Sequence, residues 1–100
     1  MVCSGQIGTK PDHSVPETPE EEFRNAWNAV GVVLKAAGLG FEDIIEYTSY
    51  HDPLSKHIRA FMKIRDEMLS EPWPAWTAIG ISEWAVPGAR VEIRVIARIL

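Results

Sequence analysis

A chain of 100 residues, 46% hydrophobic and 24% charged, is long enough for one globular domain with one core and too short for two. The formal net charge of -4 argues against a general binder of polyanions, because affinity for nucleic acids comes largely from clustered Lys and Arg side chains. With one cysteine, no signal-peptide core and no apolar run near the roughly 20 residues of a membrane helix, the sequence predicts a cytoplasmic protein.

The N-terminal part of the chain predicts a strand and then a loop. Met1 to Gly8 is a short apolar segment that contains Ser4-Gly5-Gln6, and this suits the exposed end of a strand better than a helix. Residues 9–19 are polar and contain three prolines, which indicates a surface loop.

The first helix is predicted to begin at Pro19. Thr18 has the side chain of an N-cap, Pro19 suits the first helical position, and Glu21 can close a capping box. Gly38 can adopt the left-handed conformation that ends a helix. Between these limits, apolar residues at spacings of three and four form one stripe, so we expect the helix to pack against a sheet; they are Phe23, Ala26, Trp27, Val30, Val33, Leu34 and Ala37.

A second strand and a second helix follow. Ile44 to Tyr50 is rich in β-branched and aromatic residues and predicts a strand. Leu54 to about Ser70 predicts an amphipathic helix, which Glu71-Pro72-Trp73-Pro74 ends. One side of this helix carries Ile58, Phe61, Met62, Arg65 and Met68.

Residues 71–100 predict a β-hairpin. Two β-prone runs, Trp76 to Trp84 and Arg90 to Leu100, flank the turn signal Val86-Pro87-Gly88-Ala89. In the second run, one face is apolar and builds a core: Val91, Ile93, Val95, Ala97 and Ile99. The other face fixes Glu92 on a rigid strand among the arginines Arg90, Arg94 and Arg98. A row of this kind is more often a solvated or intersubunit face than a nucleic-acid site.

The order of the predicted elements is strand, helix, strand, helix, strand, strand. This order predicts an α+β fold in which two helices cover one face of a mixed sheet. Strands joined by a helical crossover should run parallel, whereas the two strands of the hairpin should run antiparallel.

The histidines and the cysteine offer little chemistry. His51 and His57 are separated by a proline-broken junction and, like His13, have no Cys or acidic partner at ligand spacing, so we expect no metal site. Cys3 is expected to be a small buried side chain.

The tryptophans and one glutamate are ambiguous. Trp73, Trp76 and Trp84 fit a core or a subunit interface better than an aromatic binding pocket, although both interpretations stay open. Glu92, placed on a rigid strand, is a candidate general acid or base.

Five short motifs follow one another across almost the whole chain: Ser4-Gly5-Gln6-Ile7, Ala36-Ala37-Gly38, Phe41-Glu42-Asp43-Ile44-Ile45 with Thr48, Pro74-Ala75-Trp76-Thr77, and Val91-Glu92-Ile93 with Ile96-Ala97. Together they resemble the Rid/YjgF family, RidA-like proteins formerly called endoribonuclease L-PSP. The segment Thr48-Ser49-Tyr50-His51 and the Pro-Ala-Trp-Thr element are most similar to the YjgH-type branch.

The resemblance implies a chorismate-mutase-like α+β fold. It also implies a homotrimer in which the sheets line a central barrel and small-molecule ligands bind in clefts between subunits. The better-known branch of the family hydrolyses reactive enamines and imines to a 2-oxo acid and ammonia without a cofactor. A deaminase of this kind is therefore the leading functional expectation.

The resemblance also suggests which residues form the site. Glu92 corresponds to the carboxylate that positions or activates water, and Ser4, Thr77 and Arg94 are candidates for substrate binding. Trp76 takes the place of an arginine in the deaminase motif Pro-Ala-Arg-Ser/Thr. An indole cannot replace the paired charged hydrogen bonds of that arginine, so we expect a site for a less charged ligand unless Arg94 or Lys63 supplies the cation.

Two alternatives and one difference in length accompany this expectation. The protein could be a non-catalytic metabolite-binding homotrimer in which Trp76 has closed the old active site. Ribonuclease or translation-inhibitor activity is the weakest alternative, because the chain is acidic. Family members usually carry a further strand pair before the Ser-Gly-Gln motif, so residues 1–100 are expected to form a single domain without that pair.

Overall fold

Two helices cover one face of a four-stranded mixed sheet in the computed structural model, which describes residues 1–99. The elements are β1 (Val2–Gln6), α1 (Pro19–Ala36), a 3-10 turn (Phe41–Asp43), β2 (Ile44–His51), α2 (Leu54–Met68), β3 (Ala75–Gly80) and β4 (Val91–Ala97). The predicted α+β class and the predicted layers are confirmed. The helix spans differ from the prediction by one or two residues.

The ends of α1 follow the predicted local chemistry. The hydroxyl oxygen of Thr18 accepts a hydrogen bond from the backbone N–H of Glu21 at 3.3 Å, which satisfies one of the free donors of the first turn. At the other end Gly38 has a φ of 76°, in the left-handed region, and the N–H of Leu39 donates to the carbonyl of Leu34 at 2.9 Å. Local sequence therefore fixes both ends of this helix.

The predicted hairpin between the last two strands is wrong. The strand order is β1-β4-β2-β3, so β2 lies between β3 and β4. β3 pairs with β2 in parallel, as expected for a helical crossover, and β4 pairs with β2 in the antiparallel sense on the other side. The turn at Gly88 does form, with a φ of 85°, but it lies within the long connection 81–90 that carries the chain past β2. Leu100, the end of the predicted run, lies outside the described residues.

The two faces of β4 are as different as the alternation predicts. Val91, Ile93, Val95 and Ala97 are buried against the helices, whereas Glu92, Arg94 and Ile96 point to the opposite side. Ile99, expected on the apolar face, follows the strand and is 77% exposed. In residues 1–99 no element covers that opposite side, which we call the open face.

Trp27 of α1 is the centre of the core under the helices. Its fully buried indole meets the ring of Tyr47 edge-on at a centroid distance of 5.2 Å and lies 6.1 Å from that of Phe61. Edge-on and offset aromatic pairs add about 0.5–1.5 kcal/mol each to the free energy gained by burial. The apolar stripe of α1 is thereby fixed against both α2 and the sheet.

The predicted row of arginines beside Glu92 does not form. Arg90 precedes β4 and binds the buried Glu22 of α1 twice, through Nη1 to Oε1 at 2.9 Å and through its backbone N–H to Oε2 at 2.7 Å. Arg98 follows β4 and lies 3.4 Å from Asp43. Arg94 is therefore the arginine of this row that stays on the open face.

Candidate functional site

Glu92 lies on β4 beside an irregularity in the neighbouring strand. The pairing of β1 with β4 shifts between Cys3 and Gln6, so the Ser4-Gly5 peptide bulges next to the glutamate. A Cβ atom at Gly5 would collide with the Glu92 side chain, at only 2.8 Å from its Cγ. Gly5 thus lets the β1 backbone approach the carboxylate closely, and the structure places Ser4 and Glu92 on two adjacent strands.

Thr77 and Arg94 share the open face with Glu92. Thr48 of β2 pairs with Arg94 on one side and with Thr77 on the other, which aligns the three side chains across three strands. Neighbouring strands lie about 4.8 Å apart, so Thr77 and Arg94 are separated by roughly 10 Å. Four of the five predicted site residues, Ser4, Thr77, Glu92 and Arg94, therefore occupy one face.

Trp76 lies on the other side of the sheet, under the helices. Its ring stacks on that of Tyr47 at 5.9 Å with an interplanar angle of 14°, and its Nε1 donates to the Ser49 hydroxyl at 2.8 Å. Within one chain the sheet separates this indole from Glu92. The structure therefore does not bring Trp76 together with the other four predicted site residues.

A buried histidine completes the surroundings of Trp76. His51 is fully buried, and its Nε2 lies 2.7 Å from the Ser49 hydroxyl oxygen that also accepts the Trp76 hydrogen bond. Burial, with a smaller contribution from His57, lowers the pKa of His51 to about 4. The imidazole is therefore neutral at pH 7, and it acts with Ser49 to hold the indole in place. The signal in the sequence was the alternation of β2, which puts Ser49 and His51 on the face of Tyr47.

Arg65 of α2 places a positive charge against two tryptophans. Its Cζ lies 5.3 Å from the ring centroid of Trp73 and 5.1 Å from that of Trp76. Asp66 Oδ1 accepts hydrogen bonds from Nε at 3.0 Å and from Nη2 at 2.7 Å. Burial alone would lower the pKa of Arg65, but the hydrogen bonds with Asp66 and Tyr47 raise it. In the sequence, Arg65 falls on the apolar side of the predicted second helix, and no motif predicts a role for it.

Trp73 also borders a cavity at the end of the sheet. The cavity has a volume of about 350 Å³ and opens to solvent. Its lining combines apolar side chains with one cation and one carboxylate: Glu42, Ile44, Ile45, Pro72, Trp73, Pro74 and Arg98. Trp73 therefore lines this cavity and, together with Trp76, packs against the guanidinium of Arg65.

Residues 1–99 contain neither a candidate metal site nor a candidate membrane span. No group of three or more His, Cys, Asp or Glu side chains in this part of the chain is arranged to hold a metal ion. None of its helices combines the length and the apolar character needed to cross a membrane.

The chain is similar to several known proteins. The family model for endoribonuclease L-PSP matches residues 1–99. RutC family protein YjgH of Escherichia coli strain K12 is 37% identical over 100 residues, which cover 99% of this chain and 75% of that protein. A 2-iminobutanoate/2-iminopropanoate deaminase of Bos taurus is 34% identical over 103 residues, which cover 97% of this chain and 71% of that protein.

Solved structures extend the similarity to the fold. The structure of protein YJGH superposes with a TM-score of 0.90 at 35% identity and covers 98% of this chain and 75% of its own. RidA from an Antarctic Psychrobacter superposes with a TM-score of 0.89 at 25% identity and covers 98% of this chain and 79% of its own. Both the sequence and the three-dimensional arrangement of residues 1–99 therefore match one family.

Proposed function

The chain belongs to the Rid/YjgF family, which the endoribonuclease L-PSP model describes, and from this premise we propose that it hydrolyses the carbon–nitrogen bond of a small imine or enamine. Similarity to proteins named 2-iminobutanoate/2-iminopropanoate deaminase supports the reaction class. The observation that carries the proposal is the position of Glu92, which is held on a rigid strand against the Gly5 backbone on the open face.

In the proposed reaction, Glu92 acts on a water molecule. Its carboxylate accepts one proton of the water as the oxygen adds to the carbon of the protonated C=N group, which gives a carbinolamine. It returns this proton to the nitrogen as the remaining C–N single bond breaks, and it takes up the proton of the hydroxyl group as the C=O bond forms. One imine and one water give one 2-oxo acid and one ammonia. Ser4, at the neighbouring bulge, is a hydrogen-bond partner for the substrate, and Thr77 and Arg94 are further contacts on the same face.

We also propose that the active assembly is a homotrimer with its ligand sites between subunits. Trp76 and Glu92 lie on opposite faces of one sheet, so a pocket that contains both needs residues from two copies. The open face carries apolar side chains that no described element covers, including Val2 at 62% exposure and Ile79 at 40%. A second and a third sheet would bury them.

Release of ammonia and 2-oxo acid from freshly generated 2-iminobutanoate and 2-iminopropanoate tests the proposed chemistry. We expect the wild type to exceed the spontaneous rate and Glu92→Gln to lose roughly 100-fold or more of that activity, the usual contribution of a general acid or base. Glu46→Gln is the matched control, since Glu46 is an exposed glutamate of β2 that lies on the open face, as Glu92 does. Equal activity of wild type and Glu92→Gln would contradict the assignment of Glu92.

The second candidate function is a non-catalytic metabolite-binding trimer. It is favoured by the packing of Trp76 under the helices, where the deaminase motif has an arginine. A protein of this kind would bind the 2-oxo acid products without accelerating imine hydrolysis. Ribonuclease activity has less support, because Arg90 and Arg98, two of the three arginines in the predicted row, are bound to carboxylates.

A further inference from the structure

The guanidinium of Arg65, a residue of α2, packs against the edge of the sheet and is more fixed than that of an ordinary surface arginine. Both tryptophans lie against it, at 5.3 and 5.1 Å, and its side chain is only 16% exposed. These contacts leave the in-plane N–H groups as the part of the group that can meet a ligand. The side chain of Arg65 is therefore already ordered in the free protein, so it loses less conformational entropy when a ligand binds.

Asp66 does not use up the hydrogen-bonding capacity of this group. Its Oδ1 accepts hydrogen bonds from Nε and Nη2, and Tyr47 is a further partner, so two of the five N–H donors of the guanidinium have no partner within residues 1–99. The Asp66 side chain is 54% exposed. Because solvent reaches the Asp66 carboxylate, an incoming carboxylate can share or replace this ion pair at small cost. The planar fork of Arg65 matches the geometry of a carboxylate.

The surroundings suit a small molecule with one charged end. β3, which carries Trp76, is an edge strand of the described sheet, so alternate backbone groups on its outer side lack a strand partner within residues 1–99. Trp73 is 49% exposed and offers an aromatic surface beside the cation. Charge, planar donors and an apolar wall therefore meet at one edge.

We propose that Arg65 is the carboxylate-binding residue of the ligand site, held in position by Trp73 and Trp76. The ligand class that follows is a small 2-oxo or 2-imino acid rather than the neutral compound expected from Trp76 alone. This inference rests on the proposed function, because it names the group that binds the substrate carboxylate. Trp76 then acts as a positioning residue that orients Arg65, and it does not contact the carboxylate itself.

Binding of a stable acid tests this role separately from turnover. Isothermal titration calorimetry with 2-oxobutanoate should give a Kd that rises roughly 10- to 100-fold in Arg65→Gln, the loss expected for hydrogen bonds to a charged group. Arg65→Lys, which keeps the charge but not the fork, should fall between the two. Arg59→Gln changes an exposed arginine of the same helix and should bind like the wild type. The neutral 2-oxobutanamide should bind weakly to every variant.

The outcomes separate the role of Arg65 from its contribution to folding. Circular dichroism and thermal unfolding should show Arg65→Gln and Arg65→Lys to be folded at the temperature of the titration. Equal Kd values for wild type and Arg65→Gln, or equal binding of the acid and its amide, would overturn the proposal. So would a wild type that does not bind 2-oxobutanoate.

The same variants distinguish this inference from the proposed function. Binding of 2-oxobutanoate that depends on Arg65, without any acceleration of imine hydrolysis, would support the anchor and reject the deaminase. Imine hydrolysis that Glu92→Gln abolishes and Arg65→Gln leaves unchanged would support the deaminase and reject the anchor.

Discussion

At the scale of single residues, His51 makes the stability of the protein depend on pH. Burial lowers its pKa from 6.5 to about 4, so the unfolded chain binds a proton in a range where the folded protein does not. The contribution of the neutral imidazole is complete above pH 6.5 and is lost as the pH falls through 4. The difference in pKa corresponds to about 3 kcal/mol. We expect the unfolding free energy in urea to fall between pH 7 and pH 4, and to fall less steeply in His51→Gln.

An exposed histidine provides the control for this pH dependence. His13 lies in the N-terminal loop, away from the core, and His13→Gln should reproduce the wild-type slope. If His51→Gln also kept the full slope, the pH dependence would have to come from other groups, such as His57, whose pKa is also lowered by burial, or the carboxyl groups.

Trp76 shows which properties of a site residue can be predicted from sequence and which cannot. The alternation of β4 was enough to place Glu92 and Arg94 on one face, because charged and apolar residues alternate there. The segment Ala75-Trp76-Thr77-Ala78-Ile79-Gly80 has no such contrast, so either set of side chains could have faced the helices. The pairing of Trp76 with Tyr47 decides the question, and that register depends on a distant strand.

At the scale of elements, the sequence predicts the ends of helices better than it predicts which strands pair. The cap at Thr18 and the ends of both helices depend on residues within one turn, and they were predicted nearly to the residue. The partner of β4 depends on competition between β2 and β3. Along the chain, β2 lies 40 or more residues from β4, whereas β3 lies about 15 residues from it. The turn at Gly88 favoured the nearer partner, but the more buried strand β2 pairs with β4 instead.

The ion pair between Glu22 and Arg90 joins α1 to the start of β4, and we predict that it is a major contact between these two elements. Burial raises the pKa of Glu22, while the hydrogen bonds and charge of Arg90 act in the opposite direction. Arg90→Gln would leave the buried Glu22 carboxylate without its counter-charge, so we expect a loss of about 3–5 kcal/mol in urea unfolding. Arg90→Gln combined with Glu22→Gln should cost less than the sum of the single changes.

Arg24 and Glu67 form the matched control for that pair. They make an ion pair of similar length, 3.0 Å, between α1 and α2, but their side chains are 46% and 44% exposed. Glu67→Gln should therefore change the unfolding free energy by less than about 1 kcal/mol. Similar losses at both sites would show that burial does not set the strength of the Glu22 pair.

At the scale of the whole molecule, the sheet divides the candidate site between two surfaces. Glu92 and its neighbours lie on the open face, whereas Arg65, Trp73 and Trp76 form a group on the helix side of the β3 edge. The family motifs predicted the residues of the first group and the fold that carries them. They gave no indication of Arg65, because its role depends on the packing of α2 against β3 and not on any short motif.

Assembly into a homotrimer would bring these two surfaces together in one site, and a substitution at Ile79 tests whether it occurs. Ile79 lies on the open face of β3 and is 40% exposed in the isolated chain. We expect the wild type to sediment at three times its chain mass of 11.2 kDa, and Ile79→Asp to sediment as a folded monomer, because a buried, unpaired carboxylate opposes association. The rate of imine hydrolysis should fall in Ile79→Asp as the trimer is lost.

Val32→Asp is the control, because it places the same charge on an exposed valine of α1, and it should change neither the mass nor the activity. A wild type that is monomeric at micromolar concentration and still catalytic would show that one chain forms a complete site, and would remove the reason to combine Arg65 of one copy with Glu92 of another.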